Sequence, residues 1–392
     1  MGAEPDAARD GVGPGNTDAR AGTPGSLRTM QAHWAQDGRF LTAALAGPWR
    51  VLAACHPGGG LREDATHVVN HQSCEGVGHD GRLAVLTAPD YLARACAEAG
   101  TPPATTVLLG TAANAALHAR ETVAAEDLTV CAAVTAGVHG NAARAGDPAR
   151  WHERDGRWVA RDPAAPPAVG TINLILLVSR PCTAGCLARA LVTAAEAKAG
   201  LLMELRIPSR QSRRLATGTG TDQAAIACPQ GAHPLTDAGH HTVLGELVGR
   251  AVEAALGRAL AQQQHLQPIT RRSVGAALER WGWSDGDLLA AARAGIPTQA
   301  ALLERNLPAL LHDPHAGLAA HALADTADRI AAGLVPVEQG AAAIADQAAL
   351  LACAIAGSHE RFADHRRALR GETDPAAAAR AALLRGFAER WA

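Results

Sequence analysis

The sequence predicts an α/β or α+β fold, in which a mixed sheet core is flanked by helices and followed by an extra all-helical C-terminal region. Two observations predict it. From about residue 49 to residue 265, short β-rich runs alternate with helical segments. After about residue 267 the sequence becomes rich in Ala and Leu, with helical patterning and little β signal. The predicted boundaries are a disordered tail at 1–28, a globular domain at 29–267 and a helical region of undetermined role at 268–392.

The elements of the 29–267 domain follow from runs of β-branched and aliphatic residues for strands, and from apolar residues every three or four positions for helices. Strands are predicted at "THVVN" (66–70), "TTVLLGT" (105–111), "LTVCAAVTAG" (128–137) and "GTINLILLVS" (170–179). Helices are predicted at "APDYLARACAEAG" (88–100), near "AANAALHARETV" (112–123), at 185–205 and from about "HHTVLGELVG" (240–249). In the C-terminal region, Trp281 and Trp283 are expected to anchor helix packing.

Composition excludes several classes of protein. The formal net charge is −2 and the chain has no basic block, which argues against a nucleic acid or an anionic membrane as partner. The N-terminus carries acidic residues, Gly and Pro where a secretory signal needs a basic start and an apolar run. No stretch approaches the roughly 18 uninterrupted apolar residues of a membrane span. The sequence therefore predicts a cytoplasmic protein that acts on a small molecule.

A metal site is not expected. The eight cysteines show no C-x-x-C spacing, and scattered cysteines in a long intracellular chain are usually small core residues. Cys182 and Cys186 form the one close pair, without further ligands at zinc spacing. His67 and His71 lie in a predicted strand, which would hold them too far apart to chelate one ion.

Lys198 is the only lysine among the 392 residues, although Lys and Arg together number 36. Its survival indicates either chance at an ordinary helix position or a site that needs a compact amine able to lose its proton, which Arg cannot do. In the predicted 185–205 helix, Lys198 falls within an apolar stripe, where a buried ammonium must be paired or deprotonated. Glu196 lies on another helix face, so a partner for Lys198 is expected from elsewhere in the chain. The stripe consists of Leu187, Leu191, Ala194, Lys198, Leu201 and Leu205.

Two loops combine small residues with polar ones. The stretch "ATGTGTD" (216–222) alternates Gly with Thr and ends in Asp222, a pattern that brings backbone close to a ligand or makes a tight strand connection. It does not match a P-loop. The stretch "TAGVHGNAARAGDPA" (135–149) offers Asn141, Arg144 and Asp147. Asn173 lies within an apolar strand, where it is expected to bracket a local bulge by hydrogen bonding or to contact a ligand.

Several ordered blocks resemble the adenosylcobinamide amidohydrolase family. They are "GTINLILLV", "ALVTAAEAKAGLLMELRIPSR", "LATGTGTDQAAIA" and "GHHTVLGELVGRAVEAAL", and the similarity runs from about residue 49 to residue 265. The resemblance implies that the 29–267 domain is catalytic. It also implies hydrolysis of the amide between the corrin ring's propionate and aminopropanol, which gives adenosylcobyric acid for cobamide salvage and remodelling. The corrinoid is then the substrate, and no cofactor is expected.

The residue roles are assigned from the chemistry of amide hydrolysis, which needs an activated nucleophile, a proton for the leaving amine and donors for the oxyanion. Lys198 is a candidate base, with Glu196 or Asp222 as the alternative, and a loop threonine such as Thr219 or water is the nucleophile. The predicted substrate-binding residues are Asn141, Asn173, Thr217, Gly218, Gly220 and Thr221.

Two other functions stay open at this point. A non-catalytic corrinoid-binding protein would be expected to carry Asp-x-His-x-x-Gly, and "DPHAG" (313–317) has the wrong spacing. A nucleotide-dependent transferase of the same pathway is disfavoured by the missing P-loop. The absence of G-x-S-x-G and H-E-x-x-H motifs disfavours a standard serine hydrolase or zinc peptidase. The sequence leaves open whether the protein is a homo-oligomer.

Overall fold

The computed structural model describes residues 32–56, 58–73, 88–155, 157–162 and 169–392. The predicted disordered tail, 1–28, lies outside the described residues. The described part is a mixed α/β sheet domain followed by a helical region, which confirms the predicted fold class. Its strands are β1 (Ala32–Asp37), β2 (Phe40–Ala54), β3 (Gly60–Gln72), β4 (Thr106–Thr111), β5 (Ala119–Ala125), β6 (Leu128–Ala136), β7 (Ala142–Ala143), β8 (Trp151–Arg154), β9 (Arg157–Ala160), β10 (Ile172–Val178), β11 (Gly218–Thr219) and β12 (Gln223–Pro229).

The helices of the sheet domain are long and few, whereas those after residue 267 follow one another without strands. They are α1 (Ala88–Ala99), α2 (Ala184–Glu204), α3 (Val243–Gln264), α4 (Pro268–Arg271), α5 (Val274–Leu278), α6 (Asp285–Gly295), α7 (Ala300–Leu311), α8 (Pro314–Ala331), α9 (Val337–Ala356), α10 (Phe362–Ala368) and α11 (Pro375–Arg390).

The main sheet has eight strands in the order β4-β3-β2-β12-β10-β6-β5, with β1 paired to β2. The pairs β10–β12 and β3–β4 are parallel, and the other pairs are antiparallel. All seven residues of β10 are buried, because both faces of this central strand are covered. On one face Ile172, Leu174 and Leu176 pack with α2 and α3. On the other face Ile175 and Leu177 join a second core, where β4 approaches β10 and β12.

One predicted helix is wrong. The segment near "AANAALHARETV" forms a single 3-10 turn, Ala115–Leu117, and then strand β5. β5 pairs antiparallel with β6 through a tight turn at Glu126 and Asp127, and Glu126 adopts a positive φ of 52°. The alternation of buried and exposed side chains in β5 is that of an edge strand, so pairing with β6 overrode the helical propensity of its alanines.

Two small sheets stand apart from the main one. β7 pairs antiparallel with β11, joining the 135–149 loop to the "ATGTGTD" loop. β8 pairs antiparallel with β9 as a separate hairpin. The first pairing brings together two loops that the sequence singled out separately.

The helical region has a hydrophobic core of its own, built around residues such as Leu323, Leu351 and Phe387. Trp281 and Trp283 pack against this core, which confirms the role predicted for them. Of the helices described, α9 is long and apolar enough, by length and composition, to cross a membrane. Half of its apolar stretch is buried inside the protein, where it packs against α8 and α11.

Candidate functional site

Lys198 lies in the last two turns of α2, and its ammonium nitrogen Nζ hydrogen-bonds to Oδ2 of Asp222. Both side chains are largely buried, with 14% and 15% of their surface exposed. The partner of Lys198 therefore comes from outside its helix, as predicted. The pairing gives each of these two largely buried groups a hydrogen-bonded partner.

Asp222 collects four hydrogen-bond donors. Besides Lys198, its carboxylate accepts from the Thr219 backbone N–H at 3.0 Å, from Thr219 Oγ1 at 2.5 Å and from the Ile172 backbone N–H at 2.9 Å. Ile172 starts β10 and Asp222 immediately precedes β12, so two parallel neighbouring strands begin at this carboxylate. The Thr219 hydroxyl, Asp222 and Lys198 thus form one hydrogen-bonded chain of hydroxyl, carboxylate and ammonium.

The two glycines of the loop differ in how closely their backbone approaches the neighbouring side chains. A Cβ atom on Gly218 would collide with Asp222 Oδ2 and lie 3.0 Å from Lys198 Nζ. A Cβ atom on Gly220 would lie 3.1 Å from Asn141 Oδ1. The Gly-Thr alternation therefore places backbone against the Lys198–Asp222 pair on one side and against Asn141 on the other.

Asn141 and two threonines tie the two loops together. Asn141 Nδ2 donates to the Gly170 carbonyl at 3.0 Å and to Thr221 Oγ1 at 3.2 Å, and the residue is 6% exposed. Thr217 Oγ1 accepts from the Ala145 N–H at 3.0 Å. Asn141 and Thr217 are thus structural links of the site as well as residues that line it.

Asp147 fixes the 135–149 loop through three hydrogen bonds. Its carboxylate accepts from Ser209 Oγ at 2.6 Å, from the Arg144 N–H at 2.8 Å and from Arg214 Nη2 at 2.9 Å, and only 3% of its side chain is exposed. Burial alone would raise its pKa, but hydrogen bonds from Ser209, Arg144, Ser212 and Arg214 outweigh burial and hold the pKa of Asp147 well below its usual range.

These groups line a cavity of about 1050 Å³, at the upper end for a small-molecule site. Its polar lining includes Lys198, Asp222, Thr219, Thr221 and Asn141. Its apolar lining includes the exposed face of α2 and Trp151 of β8, a residue that was not predicted to belong to the site. A Trp inside a Gly- and Arg-rich loop was the signal available in the sequence.

Two predicted site residues stand apart from the Lys198–Asp222 pair. Glu196 lines the cavity, but its side chain is about half exposed, and Oε2 lies 2.6 Å from His240 Nε2. Asn173 is fully buried and does not line the cavity. Its Nδ2 donates to Asn70 Oδ1 at 2.8 Å and to the Gly110 carbonyl at 2.9 Å, in a regular stretch of β10 without a bulge.

Within the described residues, no group of three or more His, Cys, Asp and Glu side chains is placed to hold a metal ion. His67 and His71 engage different neighbours, Thr66 and Tyr91. The cysteines of this part are free and, apart from the partly exposed Cys55, buried, which confirms their interpretation as core residues.

Comparison with known proteins gives a family for the sheet domain. The profile of the adenosylcobinamide amidohydrolase (CbiZ) family matches residues 25–268. An uncharacterized protein of Methanocaldococcus jannaschii is 34% identical over 170 residues, which cover 41% of this chain and 64% of that relative. The match thus spans slightly less than two thirds of the relative's length. A Pyrococcus horikoshii protein of known crystal structure aligns over 59% of this chain and 83% of its own, with 14% identity and a TM-score of 0.30.

Proposed function

The chain belongs to the adenosylcobinamide amidohydrolase family, whose profile covers more than half of it, and we propose that it hydrolyses the aminopropanol amide of adenosylcobinamide. The products are adenosylcobyric acid and aminopropanol, in the salvage and remodelling of cobamides. The observation that carries the proposal is the chain of Thr219, Asp222 and Lys198 at the polar part of a cavity large enough for a bulky ligand. The protein acts in the cytoplasm on a small-molecule corrinoid, without nucleic acid or membrane as partner and without a cofactor.

In the proposed mechanism the Thr219 hydroxyl attacks the amide carbonyl carbon and gives its proton to Asp222. The tetrahedral intermediate collapses when Asp222 passes that proton to the amide nitrogen, so the C–N bond breaks and aminopropanol leaves as the free amine. Water then hydrolyses the Thr219 ester, releasing the carboxylic acid and restoring the hydroxyl. Lys198 holds Asp222 in place through their ion pair and offers positive charge near the developing oxyanion.

This assignment moves the base from Lys198 to Asp222. Lys198 Nζ is engaged by a carboxylate, whereas Asp222 Oδ1 already accepts the hydrogen bond of the hydroxyl that must lose its proton. Glu196 bonds to His240 instead of reaching this chain of groups, so it fits substrate binding at the rim better than proton transfer.

The test is incubation of purified protein with adenosylcobinamide, with and without GTP. Release of aminopropanol without nucleotide supports the hydrolase. Modification only with GTP indicates the transferase, and binding without product indicates a corrinoid-binding protein. Thr219→Ala and Asp222→Asn should each lower turnover by about a hundredfold or more, whereas Thr219→Ser should retain activity because it keeps a hydroxyl. Normal turnover by Thr219→Ala would leave water as the nucleophile.

A further inference from the structure

Trp151 is unusual in being a large aromatic side chain with 56% of its surface exposed. Aromatics make up only 3% of the sequence, and among the large apolar residues that the structure describes as exposed, Trp151 is the one aromatic. An exposed Trp leaves a large apolar surface in water, which is a frequent property of ligand and partner contacts. Trp151 lines the same cavity as the Lys198–Asp222 pair.

The cavity wall formed by α2 is also apolar. Val192, Ala195 and Ala199 lie three and four positions apart, so they share one face of the helix, and all three line the cavity. Val192 is 46% exposed, and the alanines leave the helix backbone open to close approach by a bulky group. Trp151 and this helix face therefore both contribute apolar surface to the cavity that Lys198 and Asp222 line.

We propose that Trp151 and the α2 face made by Val192, Ala195 and Ala199 bind the flat corrin ring, and thereby set which amides reach Thr219 and Asp222. This inference rests on the proposed function. A corrin is a broad conjugated ring with methyl and amide groups around its edge, and in adenosylcobinamide the cobalt carries the adenosyl group on one face. An indole stacks on the outer part of the other face, while the small alanine side chains of the helix leave space beside it. Recognition of the ring, away from the reacting amide, provides binding energy and excludes small linear amides.

The first experiment uses Trp151→Ala and Trp151→Phe in the full-length protein, with Val159→Ala as the matched control. Val159 belongs to the same hairpin and is 50% exposed, but it does not line the cavity. We expect Trp151→Ala to raise the KM for adenosylcobinamide about tenfold, with kcat changed by less than about twofold. Trp151→Phe should restore most of the affinity, and Val159→Ala should match the wild type. An unchanged KM in Trp151→Ala, or an equal loss in Val159→Ala, would overturn the inference.

The second experiment tests the helix face and separates this inference from the proposed function. Val192→Ser should weaken equilibrium binding of adenosylcobinamide, whereas Met203→Ser, at a similarly exposed position of α2 outside the cavity, should not. If the wild type binds the corrinoid but releases no aminopropanol, the proposed function fails while the loss of binding in Trp151→Ala and Val192→Ser still supports the ring-binding surface. If the wild type turns over adenosylcobinamide and both variants bind it as tightly as the wild type does, the proposed function stands and the inferred ring-binding surface is wrong. Absence of both binding and turnover in the wild type contradicts both.

Discussion

At the scale of single residues, the lone lysine is explained by its neighbours. The sequence indicated that Lys198 is buried and needs a partner, and it offered Asp222 as one candidate carboxylate, but it could not establish the pairing, because that depends on two strands starting side by side. Gly218 lies so close to Lys198 Nζ that the wider guanidinium of Arg would crowd the loop.

The first prediction follows from the ion pair. Lys198→Ala should lower turnover of adenosylcobinamide by about a hundredfold, because it leaves Asp222 without its cation. Lys198→Arg should retain partial turnover, above that of Lys198→Ala, since it keeps the charge but strains the loop at Gly218. Kinetics and thermal melting of both variants provide the measurement. Equal inactivity of the two variants at equal melting temperatures would show that a deprotonated amine is needed, and Lys198 would return as the base.

A second prediction compares the two loop glycines. Gly218→Ala places a methyl group against Asp222 and Lys198, and should lower both turnover and melting temperature. Gly220→Ala places its methyl group 3.1 Å from Asn141 Oδ1, a contact that a displacement of a few tenths of an ångström relieves, so its effect should be several-fold smaller. Neither residue is among those with positive φ, so steric contact and not backbone conformation sets the difference. Similar losses in the two variants would contradict this explanation.

A third prediction concerns acid stability. Burial, the positive charge of Arg39 and that of Arg94 together lower the pKa of His71 from 6.5 to about 4, against the opposing charge of Glu98. Between pH 6.5 and pH 4, His71 therefore stays neutral in the folded protein but takes up a proton in the unfolded protein. Its contribution to the free energy of unfolding is present above about pH 6.5 and is lost as the pH falls toward 4. That loss amounts to about 3 kcal/mol.

The measurement is the free energy of unfolding by denaturant between pH 7 and pH 4.5, in the wild type and in His71→Phe. The variant loses the hydrogen bond to Tyr91, so it should be less stable at pH 7, but its stability should fall less steeply with acid. Parallel curves for the two proteins would assign the acid sensitivity to other groups.

At the scale of elements, long buried patterns were predicted well and the short segment before β5 was not. "GTINLILLVS" and the 185–205 helix have strong periodicity and became β10 and α2. "AANAALHARETV" has a helical composition, yet it became an edge strand because β6 lies ready to pair with it and a tight turn fixes the register. Local propensity decides an element only where no strand competes for its backbone.

A fourth prediction concerns how the Lys198 helix ends. Arg206 adopts a positive φ of 51°, and the Arg271 guanidinium donates to the carbonyls of Leu205 (3.0 Å) and Arg206 (3.1 Å). Arg271 also pairs with Glu279 at 3.2 Å and is 11% exposed. Arg271→Met should thus destabilise the protein by about 2–4 kcal/mol, because it removes the hydrogen-bond donor of the Leu205 and Arg206 carbonyls and the ion-pair partner of Glu279. Arg272→Met is the matched control, since the neighbouring Arg272 is exposed.

The assay is chemical denaturation combined with turnover. Because α2 carries Lys198 within two turns of this end, Arg271→Met should also reduce kcat more than it changes KM. Equal stability of the Arg271→Met and Arg272→Met variants would show that the helix end does not depend on this contact.

At the scale of the whole molecule, the two parts have separate hydrophobic cores but share a polar contact. The contact is made on the segment 205–214, which runs from the end of α2 toward the loop that carries Asp222. Arg206 pairs with Asp328 at 3.4 Å, Arg280 donates to the Arg213 carbonyl at 2.8 Å, and Arg210 pairs with Glu279 at 3.1 Å. The helical region, whose role the sequence left undetermined, therefore supports the segment between two halves of the candidate site.

The fifth prediction tests this arrangement with a fragment of residues 29–267. Its own cores should let it fold, as expected from the change of composition near residue 267, but loss of the contacts to 205–214 should leave that segment and the adjoining loop less ordered. We expect a folded fragment with a lower melting temperature and a turnover reduced several-fold or more relative to the full chain. Circular dichroism, thermal melting and aminopropanol release from adenosylcobinamide measure the three quantities. An insoluble fragment would move the domain boundary. A fragment as stable and as active as the full chain would show that residues 268–392 do not support the site. The fragment lacks every contact that these residues make to the segment 205–214, so full activity would mean that Lys198 and Asp222 keep their positions without those contacts.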